Sequence, residues 1–435
     1  MIIEKRTHED FKDLEDRPLD KKGRKISLIL PARHEEKTIG NYFPTFANLM
    51  RMGCIDEVVI ADSSDNSKTI DAAIDAAMNT HPFSNIIYRA SNNGRVFPVK
   101  AVNVFDKRFA KLFNDHKPEL GKLPGKGTAM YLGMAVATGD ILLFLDADFQ
   151  NIDPRFLYGL AGPFEDRRTI LSKATFKLED TYEEVIDMCK QNNQDLASCD
   201  LLLKSVNSRT LAKPMMNILD EELKLFPGIK NFNGPLSGGC GAPKEVWQSL
   251  MIPIHYGIEV SYLMQLVKMF PNGRYAYDVN LGEVIQESQD AEGRVRMGEN
   301  IINTILHHIK MESPKLYREF SQNPVQLTNM YLEHAKKYAT HHTDTERMNL
   351  YANIMNDALI QGEAINTPIL PALNNNSFYL SKKQKIIDLA NQAMYEKVHK
   401  QTTPNISVKI NFNPILDKQI PAMIQYTPIY GNMNN

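Results

Sequence analysis

A chain of 435 residues has room for one large α/β domain with an appended region, or for two domains. Hydrophobic residues make up 43% and charged residues 23%, and 50 Lys plus Arg stand against 52 Asp plus Glu. That is the balance of a chain with a real core and no net field to select nucleic acid or an anionic membrane. Four cysteines (Cys54, Cys189, Cys199, Cys240) lack metal-site spacing. No apolar run nears the ~20 residues that span a bilayer, and the charged start has no signal-peptide core. The expectation is a cytoplasmic protein with no integral membrane association.

Residues 1–24 read as a charged lead-in with one amphipathic turn around Phe11 and Leu14. Ile26 to Leu30 is a short apolar strand closed by Pro31, and a helix follows with Ile39, Phe43, Phe46 and Met50 at helical spacing. Asp56 to Asp62 is a second strand that ends on an acid, and the polar loop from Ser63 feeds a helix to about Asn79. Ile86 to Arg89 reads as a third strand, and residues 91–124 as a loop with a helical excursion near 101–115. Strands alternating with helices predict a doubly wound, mostly parallel sheet with helices on both faces.

Gly125-Lys126-Gly127 opens a helix to about Ala137, which leads into Ile141-Leu142-Leu143-Phe144-Leu145. Five apolar residues in a row predict a strand buried on both faces. Asp146 and Asp148 follow and share parity, so they are expected to point the same way. Asp153-Pro154 opens a helix by ordinary capping chemistry, Ile170 to Phe176 is a strand, and the acidic stretch to about 200 looks helical. Leu211 to Leu225 reads as a helix interrupted by Pro214, ahead of the glycine-dense loop Asn233 to Gly241. From about 291 to 400 the pattern is helical (Ile301–Met311, Thr328–Tyr338, Met348–Ile360, Lys383–Val398), and residues 401–435 form an extended tail.

In a parallel sheet the carboxyl ends of the strands open on one edge, where ligands collect. Pro31 to Glu36, Asp62 to Asp65, Gly125 to Gly127 and Asp146 to Asp148 all fall there. Oxygen ligands suit Mg2+ or Mn2+ carrying a phosphate. Lys126 offers a cation, and the helix amides after Gly127 offer further anion affinity. The bland alternative for the Asp-x-Asp pair is a capping turn.

This ordered set resembles the GT-A nucleotide-sugar glycosyltransferases, and among them the retaining glucosyl-3-phosphoglycerate synthases. It runs from Leu30-Pro31-Ala32…Glu35-Glu36 through Gly125-Lys126-Gly127 and Gly139 to Asp148, then to Pro235-Leu236 and Tyr256 to Val260. The match spans about residues 25–290, which would form a GT-A domain carrying the helical region. The resemblance implies that Pro31, Ala32, Glu35, Ser63, Lys126, Asp146 and Tyr256 bind the nucleotide-sugar. It gives Asp148, Lys126 and Glu259 to catalysis, and Ser208, Arg209, Thr210, Gly238 and Gly239 to the acceptor. The metal falls to Asp148 and Gln286, with Mg2+ or Mn2+ as cofactor. A hexose, glucose from UDP-glucose, would move with retention to a small anionic acceptor such as 3-phosphoglycerate. Homodimer formation is left open.

Gln286 stands where the family has a His ligand, with Glu283, Glu287, His255, His307 and His308 as substitutes to consider. Ser237-Gly238-Gly239 lacks the family's acid, and Arg33-His34 replaces a more apolar pair. Rival readings are a GDP-mannose-type donor, a sugar-phosphate nucleotidyltransferase, a polyprenyl-phosphate sugar synthase, and a degenerate nucleotide-sugar binding protein.

Overall fold

Ile141–Phe144 (β5) lies in the middle of an eight-stranded sheet, and every residue of it is buried. In the computed structural model, which describes residues 1–85, 87, 90, 97–114, 125–178, 206–271, 274–286, 291–339, 342–362 and 368–402, the other strands are arranged around it. They are β1 (Ile2–Thr7), β2 (Ile26–Ala32), β3 (Glu57–Asp62), β4 (Val99–Asn103), β6 (Thr169–Leu178), β7 (Cys240–Pro243) and β9 (Tyr275–Val284). Their order is β1-β9-β6-β7-β5-β2-β3-β4. β5 pairs in parallel with β2, Ile26 opposite Ile141, and antiparallel with β7, which is antiparallel to β6 as well. Every strand but β7 therefore runs the same way. A separate short pair joins β8 (Ile252–Pro253) to β10 (Ile369–Leu370).

Alternation along the strands sorts side chains into two cores. Ile29, Val59, Ala61, Leu142 and Phe144 face one, and Leu28, Leu30, Val58, Ile60, Ile141 and Leu143 face the other. The first core continues without a break into the helical region through Ile301, Ile305, Tyr331 and Tyr351. The last helix, Ser377–Thr402, gives Tyr379, Ile386 and Ala390 to that core and Met394 and Val398 to the other. It lies along β4, where Asn391 Oδ1 accepts from the Phe97 amide at 3.3 Å.

Several expectations need correction. The N-terminal lead-in holds an edge strand, β1, paired in parallel with β9 from Ile2 opposite Tyr275 to Thr7 opposite Asn280. The expected turn at Phe11 and Leu14 is a 3-10 helix, His8–Glu15. The third strand of the parallel half is Val99–Asn103, and positions 86, 88 and 89 of the expected strand lie outside the described residues. Residues 83–85 and 87 are helical, and Phe83 and Ile87, four apart, are both buried. The helical excursion narrows to Ala110–Asn114. Around Pro214 the backbone forms two π turns, Ser208–Ala212 and Ile218–Glu222, flanking Lys213–Asn217. Proline has no N–H to give the usual helical bond, which suits such a break. Helix Pro314–Gln322 and strand β9 were not foreseen. The acidic stretch before 200 and the tail from 403 lie outside the described residues.

Candidate active site

At the end of β2 the chain turns through His34, whose φ of 61° is left-handed, and the His34 amide donates to Ser64 Oγ at 2.8 Å. Ser63, beside it at the end of β3, donates from its amide to Ala32 O at 2.8 Å. Buried Asp62 accepts from the Ser64 amide and hydroxyl (3.0 and 2.6 Å) and from Asn103 Nδ2 (2.9 Å). Loss of water pushes its pKa up despite those bonds. The Glu35 amide donates to Thr69 Oγ1 at 3.0 Å, and the Thr38 hydroxyl lies 3.0 Å from Glu35 Oε2 and 2.9 Å from Ala147 O. Tyr42 OH donates to Asp146 O at 3.0 Å and accepts from the Phe149 amide at 2.6 Å. Thr38 and Tyr42 thus strap the acid-bearing loop to the helical turn Ile39–Tyr42 that follows β2.

Strand β5 ends at Phe144, so both acids sit on that loop and find different partners. Asp146 Oδ1 and Glu259 Oε1 each lie 2.7 Å from Lys126 Nζ. The two carboxylates hold the Lys126 ammonium above its ordinary pKa against the cost of burial. The lysine charge expected to face phosphate is here shared between these two carboxylates. The helix amides are engaged too. Gly127 N and Thr128 N donate to Ile254 O at 3.1 and 3.4 Å, and Gly125 N donates to Thr128 Oγ1 at 3.1 Å. A β-carbon at Gly125 or Gly127 would overlap the Ile254 or Pro253 carbonyl, so these glycines serve chain packing.

Gly238 lies flat against the Asp146 carboxylate, where a β-carbon would overlap both oxygens, and Gly239 packs on Ala174. The Ser237 carbonyl is held by Lys173, a buried lysine over the Tyr262 ring whose pKa falls to about 8 by desolvation. Tyr256 stands half-exposed near this group. Burial raises its phenol pKa, and the charges of Lys126, Glu259, Asp146 and Arg33 all act on it.

Asp148 faces Gln286, whose Nε2 is 3.4 Å from Asp148 Oδ1. Phe149 and Gln286 form an isolated β-bridge, and the Gln150 amide donates to Ile285 O at 2.8 Å. Asn151 Oδ1 accepts from the Ile285 amide at 2.8 Å, and Arg155 donates to Leu281 O and Glu283 O at 3.1 and 3.0 Å. Those straps were invisible in the sequence, since they join positions far apart along the chain. Desolvation, then crowding by the Asp146 and Glu35 carboxylates, lifts the Asp148 pKa to about 7. A site with that excess of negative charge and an amide that can present oxygen fits a divalent ion that keeps water and takes phosphate oxygens. Among the described residues no three His, Cys, Asp or Glu converge on one point, so the protein would supply few ligands. His308 is bound to Ser261 Oγ at 2.8 Å inside the helical core, and His307 stacks edge-on against it. His255 packs beside Gly125, and Glu287 lies outside the described residues.

The expected acceptor turn is held by the C-terminal helices. Arg209 forks onto Asp344 at 2.7 and 3.1 Å, Tyr331 OH donates to Thr210 O at 2.6 Å, and Thr210 Oγ1 donates to Val206 O at 2.7 Å. Ser208 begins the π turn.

Residues 109–221 match the family model for glycosyl transferase family 2. The glucosyl-3-phosphoglycerate synthase of Petrotoga mobilis is 22% identical over 298 residues, covering 67% of this chain and 75% of that protein. That of Mycobacterium tuberculosis is 26% identical over 288 residues, covering 66% and 74%. Among solved structures, mannosyl-3-phosphoglycerate synthase from Rubrobacter xylanophilus superposes with a TM-score of 0.52 at 21% identity, covering 72% of this chain and 82% of that one. The sheet, the acid-lined strand ends and the family 2 match define a glycosyltransferase with a GT-A fold. Within that class the chain is similar to the glucosyl-3-phosphoglycerate synthases. No described helix is long and apolar enough to cross a membrane.

Proposed function

We propose that this protein is a metal-dependent hexosyltransferase that moves glucose from UDP-glucose, with retention, onto a small anionic acceptor such as 3-phosphoglycerate. One observation carries the reading. Asp148 and Gln286 meet at the sheet edge, beside two further carboxylates that leave the position short of positive charge. Asp148 and Gln286 would hold Mg2+ or Mn2+, which when bound supplies Lewis-acid neutralisation of the leaving diphosphate. Pro31, Ala32, Glu35 and Ser63, at and just beyond the ends of β2 and β3, would hold the base and ribose. Lys126 fixes Asp146 and Glu259 in place, and Tyr256 closes the side toward the sugar. The C1–O bond to the diphosphate breaks, the acceptor oxygen bonds C1 on the same face, and its proton passes to the diphosphate. The names of the relatives support glucose and phosphoglycerate as the first substrates to try. In the test, labelled UDP-glucose and 3-phosphoglycerate are incubated with Mn2+ and either the native chain or Asp148→Ala. Transfer by the native chain and none by the variant is expected. Metal-dependent transfer that survives in Asp148→Ala sinks the reading.

A further inference from the structure

Positive charge is scarce in this cleft. Glu35, Asp146, Asp148 and Glu259 gather there, while Lys126 is held between two of them, Lys173 is bonded to the Ser237 carbonyl, and Arg155 is turned onto backbone carbonyls. Arg209 is forked onto Asp344. A divalent ion offsets part of the excess, but an incoming diphosphate or phosphorylated acceptor adds negative charge of its own. Arg33 is the exception. It follows Ala32 at the end of β2, is exposed, and forms no ion pair or side-chain hydrogen bond among the described residues. Its neighbour His34 stands 3.9 Å from Asp65, so the nearby acid falls to the imidazole. The charge of Arg33 nevertheless reaches the Tyr256 phenol, which also feels Lys126, Glu259 and Asp146.

We propose that Arg33 is the side chain that receives a substrate phosphoryl group between Ala32 and Tyr256, the task that Lys126 and Arg209 are not free to perform. The inference rests on the nucleotide-sugar reading above and names the oxyanion contact within it. A guanidinium suits the task, since its planar fork pairs with two oxygens of one phosphate at once. That phosphate can belong to the donor's diphosphate or to the acceptor, and the two sources separate experimentally.

Full-length protein, Arg33→Gln and Arg33→Lys are titrated calorimetrically with UDP and with uridine in the presence of Mn2+. The KM for 3-phosphoglycerate is measured in parallel. If the donor is held, Arg33→Gln weakens UDP by about tenfold or more while uridine stays within about twofold, and Arg33→Lys regains part of the loss. If the acceptor is held, UDP is unchanged and the acceptor KM rises about tenfold at near-constant kcat. UDP affinity and acceptor KM both within about twofold of native overturn the proposal and leave the nucleotide-sugar reading standing. Failure of the native protein to bind UDP with Mn2+ overturns both.

Discussion

Gly238 and Asp146 touch so closely that the backbone of the one forms a wall against the carboxylate of the other. The wall is kept in place from behind, because Lys173 holds the carbonyl of Ser237. Gly238→Ala must therefore move either the loop or the acid. Overpacking of this kind costs roughly 1–3 kcal/mol, and here the displaced atom belongs to the site. The expected result is a fall in turnover of at least about tenfold with only a few degrees lost in Tm, read by steady-state kinetics and calorimetry. Native turnover in Gly238→Ala would show that the position of Asp146 does not matter to the reaction.

Lys126 bonds two carboxylates at 2.7 Å each, with side chains 15%, 19% and 6% exposed for Lys126, Asp146 and Glu259. Removing the cation leaves both acids uncompensated. Lys126→Met is expected to destabilise the fold by roughly 3–5 kcal/mol in urea titration, the usual cost of breaking a buried pair from one side. Adding Glu259→Gln removes one of the stranded charges and should restore part of that loss. A double variant no more stable than Lys126→Met would place the role of Lys126 elsewhere.

The Asp148 pKa is about 7, raised above the ordinary carboxylate value by burial and by the Asp146 and Glu35 charges. A raised folded pKa gives stability that is present at low pH and fades as pH rises through 7. Metal binding needs the ionised carboxylate, so its stabilisation runs the other way and grows through the same window. Thermal melts at pH 5.5 and pH 8 should show a small Mn2+-induced rise in Tm at the lower pH and a full one at the higher. Equal shifts at both would mean that Asp148 is not the ligand.

The central strands were legible because a strand buried on both faces reads as a largely apolar run: β5 is apolar throughout, and β2 and β3 are apolar apart from the buried Ser27 in β2 and the buried acids Glu57 and Asp62 at the two ends of β3. The acids that close them are equally plain. β1 was not legible: its residues are Ile-Ile-Glu-Lys-Arg-Thr, none of them buried, as befits an outer strand. Gly125-Lys126-Gly127 looked like a phosphate cradle because that pattern permits close approach of an anion. The approach is made by the Pro253 and Ile254 carbonyls instead. Local pattern shows that a backbone comes near something, not what it meets. Likewise Thr38, Tyr42, Asn151 and Arg155 act on loops over a hundred residues away, or, for Arg155 and Asn151, on the 281–286 segment, and no short window holds both ends of such a bond.

The helix that closes the described chain is shared property of both halves of the interior, and it shields the rim of the sheet at Val99–Asn103. Shortening the protein before Ser377 would therefore do more than trim an appendage. It would bare a row of unsatisfied backbone groups and apolar surface together, the combination that invites strands of neighbouring molecules to add on. The transferase half cannot be excised cleanly along the boundary near residue 290, and a truncated product should be recovered as aggregate.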